Sequence, residues 1–122
     1  MATVVRKASA VYKSTIAINT AIGSAVKLEG HEGGYIIMPA AWTAADLAFK
    51  VCDTEDGTYA IIRDTAGVAI DIEDPAAGKA HVIPDALFKG AIWVKPWSKN
   101  ATPATETDVN QAAARTITFV VR

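Results

Sequence analysis

The residues best placed to do chemistry are Trp93, Lys95 and Trp97. In Ala91–Trp97 a period of two puts them on one face of a strand and leaves Ile92 and Val94 on the other. Two rings on a wet sheet face can stack sugars or bases, and the lysine between them adds a donor for an anion. The same three residues also suit a buried face, either in the sandwich or against another subunit. Subunit interface and glycan face are both carried forward.

The other chemistry-bearing groups give weaker patterns. Asp53, Glu55 and Asp56, and again Asp71, Glu73 and Asp74, could converge on a hard cation such as calcium. However, Gly57 falls where an EF-hand loop needs its third ligand, so both clusters read as solvated turn acids. Paired carboxylates for glycoside hydrolysis would need a cleft, and these sit at turn tips. The single cysteine, Cys52, has no local signature tying it to His31 or His81, and neither histidine has metal-ligand spacing. No glycine loop cradles phosphate. The expectation is a protein without enzymatic activity, metal or cofactor.

Composition narrows the setting. A chain of 122 residues makes about one domain, and one cysteine excludes an internal disulfide. A net charge of −1 argues against general nucleic-acid binding, which needs a clustered basic surface. No signal-peptide pattern opens the chain and no apolar run approaches a membrane span, so a soluble protein made in the cytoplasm is expected, with no membrane partner. Charge is uneven: the first fourteen residues carry Arg6, Lys7 and Lys13 and no acid, while Asp53 to Asp74 holds seven acids against Arg63. Residues 1–14 therefore read as an extended arm, with Val4, Val5, Arg6, Lys7, Tyr12 and Lys13 able to dock on an acidic partner.

The elements that must position these groups are strands. Leu47, Phe49 and Val51 alternate with Asp46, Ala48 and Lys50, and Tyr59 and Ile61 resume the pattern after the turn Asp53-Thr-Glu-Asp-Gly57. This is a β-hairpin, with the glycine expected at positive φ. Trp42, after Pro39, folds over its apolar face. Further strands are predicted at Thr15–Ile18, Ser24–Leu28, Tyr35–Met38, Val68–Ile72, Lys79–Ile83, Ala91–Trp97 and Arg115–Arg122, with one helical turn at Pro84–Gly90 and a long loop at Ser98–Asp108. The core is expected to hold Trp42, Leu47, Phe49, Val51, Tyr59, Ile61, Ile117 and Phe119. Eight or so short strands with frequent turns predict an all-β antiparallel sandwich or jelly roll over residues 15–122. Hydrophobic residues make up 51% of the chain, more than one such core is expected to hide, which predicts self-association.

The pattern Met38-Pro-Ala-x-Trp42-Thr-x-Ala-x-Leu47-x-Phe49, then Asp56-Gly-Thr-Tyr59, Asp64-x-x-Gly67 and Gln111-x-x-x-Arg115-Thr-Ile117, resembles a family of small virion structural proteins of tailed bacteriophages. The likeness runs from about Ala17 to the C-terminal residues. It implies a β-rich virion component without enzymatic role, assembled in the host cytoplasm. Within it, the expected role is a head decoration or cement protein, commonly a homotrimer, bound to the major capsid protein. A tail-tip or head-fibre module that binds a host glycan is the alternative.

Overall fold

The computed structural model describes residues 9–101 and 106–122. Nine strands run in chain order: β1 (Ala10–Ile16), β2 (Val26–Lys27), β3 (Gly34–Ile37), β4 (Asp46–Cys52), β5 (Ala60–Ile61), β6 (Asp71–Ile72), β7 (Ala80–Val82), β8 (Trp93–Lys99) and β9 (Arg115–Val121). They form two antiparallel sheets, β1-β9-β3-β7 and β2-β8-β4-β5, with β6 also paired to β4. The pairing follows a simple rule. β1 lies beside β9, β2 beside β8, β3 beside β7 and β4 beside β5, so the chain behaves as one long two-stranded ribbon bent at residues 53–59. Successive pairs along that ribbon alternate between the sheets, which is the winding of a jelly roll.

Alternation within the strands decides what lies between the sheets. Leu47, Phe49, Val94, Ile36, Ile117 and Phe119 point inward and are fully buried. Trp42 and Val51 pack half-buried against them. The turn Asp85–Phe88 closes one side by inserting Leu87, as its apolar pair Leu87-Phe88 predicts. β4 is buried on both faces over Asp46 to Phe49, since Trp97 and Ala21 cover its outer side at Ala48.

Three expectations are corrected. The hairpin joins β4 to β5, but its register sets Lys50 opposite Ile61 and Val51 opposite Ala60. Tyr59 and Ile61 therefore share the outer face with Lys50 rather than the core face with Phe49, because the connection shifts parity by one residue. Ile62 takes the inward position instead and packs against the core. Gly57 is not at positive φ; a side chain there would meet Cys52 Sγ and Thr54 Oγ1, two side-chain tips that would have to turn aside.

The arm is the third correction. Residues 10–14 are not an arm but the first part of β1, paired along its full length with β9 from Ala10↔Val121 to Ile16↔Arg115. Ala10, Tyr12, Ser14 and Ile16 face the core while Val11, Lys13 and Thr15 face out. The alternation is hard to see because its inward side mixes a small residue, a phenol and a serine. Tyr12 belongs to the interior: its hydroxyl lies 3.0 Å from Nε2 of buried His31. Val4, Val5, Arg6 and Lys7 lie outside the described residues.

Candidate interaction surface

The outer face of the five-stranded sheet carries the stripe that the sequence singled out. β8 places Trp93, Lys95, Trp97 and Lys99 outward, opposite Cys52, Lys50, Ala48 and Asp46 of β4. Trp97 is covered within the chain, whereas Trp93 is half-buried. Trp97 is 3% exposed, packed on Ala21, Ala48 and Ile61, and its Nε1 donates to Asp108 Oδ1 at 2.6 Å. Lys50 Nζ stands 4.6 Å from its ring centroid. Lys27 Nζ lies 5.7 Å from the Trp93 ring and Lys95 Nζ 4.3 Å from the ring of Tyr59. Each is a cation held over a π-face, which Lys favours when its stem lies along apolar surface. Trp97 is thus neither a sugar platform nor a contact for a second subunit; Ala21, Ala48, Ile61 and Asp108 already occupy it.

Tyr59 stays a neutral ring under Lys95. Burial, then the negative charge of Cys52, Glu55 and Asp56, holds its phenol above the ordinary tyrosine range. Its hydroxyl donates to the Glu55 carbonyl at 2.8 Å, which ties the acidic turn to the sheet.

At the far end of the same face lies a group that sequence reasoning missed. Lys99 Nζ sits 2.9 Å from Asp71 Oδ2 and 3.6 Å from Asp46 Oδ2, with both Lys99 and Asp46 buried. Burial works against its charge, but the hydrogen bond and charge of Asp71, then of Asp46, outweigh it and raise the lysine above its ordinary value. Asp46 Oδ1 also accepts the Asp74 amide at 2.9 Å. Asp71 is thereby a strand residue with a partner, not a solvated turn acid. Sequence reasoning ends the strand at Trp97 and puts Lys99 in the following loop, whereas β8 runs on to Lys99 and keeps the outward parity of Lys95 and Trp97.

The outer face of the four-stranded sheet has the opposite character. Across it run Val11, Val120, Tyr35 and Val82 in one row, and Lys13, Thr118, Ile37 and Ala80 in the next. Val11, Tyr35, Ile37 and Val82 are four of the seven large hydrophobic side chains exposed among the described residues. Within these strands Lys13 is the one charged side chain on the face among the described residues. Tyr35 and Val120 also border an open cleft of about 570 Å³ between Gly30, Glu32 and Arg122. The resulting surface is apolar and contiguous, of the kind that marks an interface. Composition hinted at a surplus, but only the pairing of β3, β7 and β9 gathers it in one place.

The remaining candidates stay apart. Cys52 Sγ contacts Asp53 and Thr54, while His31 is engaged by Tyr12 and His81 Nε2 accepts the Ala76 amide at 3.2 Å. Among the described residues no group of three or more His, Cys, Asp and Glu side chains is placed to hold a metal ion. No helix among them is long and apolar enough to cross a membrane. Comparison with protein families, curated proteins and solved structures finds no match.

Proposed function

We propose that the protein is a non-enzymatic component of a bacteriophage virion, a decoration or cement protein that binds the major capsid protein and reinforces the head. Copies associate through the outer face of the four-stranded sheet. That apolar face is the observation that carries the reading, because it has little charge to complement and so calls for an apolar occupant. A second copy presents one. Its strands are seven, seven, four and three residues long. At ~3.4 Å per residue and ~4.8 Å between strands they cover roughly 340 Å² per copy. Two such faces total roughly 690 Å², below the ~1,000 Å² that a stable specific interface clears. Association is therefore weak in free solution and completed on a shell that holds copies side by side.

Jelly rolls occur in viral coat domains, but also in lectins and cupins, so the winding alone decides nothing. The virion role comes from the resemblance around Met38–Phe49 and Gln111–Ile117; the trimer which that resemblance also implies would need a head-to-tail contact, since one face meeting its own copy closes a pair. The host-glycan alternative loses support, since lysines lie on the rings it would use. Two measurements test the proposal. Sedimentation at high micromolar concentration is expected to show reversible self-association that Ile37→Lys abolishes while the melting temperature holds. Capsids assembled without the protein are expected to bind it stoichiometrically. A wild type that neither self-associates nor binds such capsids would overturn the reading.

A further inference from the structure

The outer face of the five-stranded sheet departs from a rule of strand pairing. Lys50 of β4 stands directly opposite Lys95 of β8, and like charges in that position destabilise an antiparallel pair. Neither ammonium has a carboxylate within ion-pair distance among the described residues. They diverge instead, Lys50 toward Trp97 and Lys95 toward Tyr59. Lys99, on the same face, shows what full neutralisation looks like: it is enclosed by Asp46 and Asp71. Lys27, beside Trp93, extends the cationic side and meets Glu29 at 3.6 Å.

We infer that Lys50 and Lys95 are the docking point for an acidic protein surface, a partner that sets carboxylates against the outer face of the five-stranded sheet. Each ammonium carries three N–H donors, and a ring face engages only part of that capacity. A carboxylate set against each ammonium would offset their repulsion and add a charge-assisted hydrogen bond apiece. The rings beneath already hold the two ammonium groups in place, so little side-chain entropy remains to be lost on docking.

Two other anionic partners fit less well. Nucleic acid binding grows with the number of phosphates neutralised, and this cluster is two lysines with a third already paired. Bases need bare ring faces to stack on, and these rings lie under ammonium groups. An acidic protein surface requires neither. The face is also distinct from the apolar one, so the molecule can hold a copy of itself on one side and a charged partner on the other. Assigning that partner to the capsid rests on the function proposed above, whereas the preference for carboxylates does not.

The test is a tryptophan-fluorescence titration with poly-L-glutamate at low salt. The wild type is expected to bind with a change in emission from Trp97 and Trp93, and Lys50→Gln/Lys95→Gln to bind at least about tenfold more weakly. The charge-matched control Lys79→Gln/Lys89→Gln is expected to bind like the wild type, with melting temperatures alike in all three. Equal weakening by both pairs would reduce the effect to net charge and overturn the inference. Tighter binding to single-stranded DNA than to polyglutamate would also overturn it, as would self-association lost in Lys50→Gln/Lys95→Gln, which would make the occupant a second copy. On capsids, wild-type retention of the Lys50→Gln/Lys95→Gln variant would refute the docking role. Failure of the wild type itself to bind them would bear on the proposed function and leave the polyglutamate result to decide this one.

Discussion

Replacing Lys99 with methionine keeps the aliphatic stem and deletes the charge, so it isolates what the buried triad contributes. The side chains of Lys99, Asp46 and Asp71 are 5%, 7% and 19% exposed, and water screens them poorly. Removing one partner from such a group leaves uncompensated buried charge, at a cost of about 3 kcal/mol. With a urea slope of about 1.5 kcal/mol/M, the unfolding midpoint should fall by about 2 M at pH 7. The pH profile supplies the sharper check. Without the lysine, Asp46 and Asp71 repel each other, so the gap to wild type follows the charge of Lys99. Lys99 is raised in the folded state, so its contribution is complete below the ordinary lysine value and disappears as pH climbs through the folded one. A midpoint shift under about 0.7 M at pH 7, or a gap that does not shrink as pH climbs through that range, would refute the reasoning.

Phe49→Ala should lose about 3 to 5 kcal/mol, since the ring is fully enclosed, while Asp56→Ala in the exposed turn should change the same urea midpoint little. Gln111→Ala should cost about 2 kcal/mol by the same assay, because its buried amide bridges the Thr43 backbone and Ser98 Oγ and leaves them unpaired when removed. Glu106 is lowered by its hydrogen bond to Arg63, despite some opposing burial, so its contribution is present above the ordinary carboxylate value and lost as pH falls through the folded one. Glu106→Gln should accordingly lower the melting temperature at pH 7, less so in high salt, and progressively less as pH falls below the ordinary carboxylate value. Deleting residues 2–13 removes the first half of β1 and should abolish cooperative unfolding in circular dichroism, whereas a detachable arm would leave it intact.

The strands were legible wherever one face is apolar and the other wet. Leu47/Phe49/Val51 and Ile117/Phe119/Val121 announce themselves by parity, and Pro84 with Leu87 marks the helical turn. Parity across a connection was not legible. The run from Asp53 to Thr58 bends through turns whose count of extended residues cannot be read locally, so Tyr59 and Ile61 were assigned to the wrong side. β1 was hidden for a related reason: Ala10 and Tyr12 are weakly apolar, and what fixes the strand is β9, more than a hundred residues away in sequence for the pair Tyr12↔Phe119. Of the functional surface, the stripe Trp93-Lys95-Trp97 was visible as a pattern, but not that its rings are already occupied. The apolar face was invisible because its rows are assembled from strands that no local window contains.

The place of β9 governs when this molecule can come into being. It lies between β1 and β3, so during synthesis β1 has no strand of its sheet to join, and β3 has only β7, until residue 121 has been made. Most of the ribbon closes over long stretches of chain, a topology that folds slowly. The apolar outer face is built across β1, β9, β3 and β7, so its two rows are incomplete on any chain that has not yet made β9.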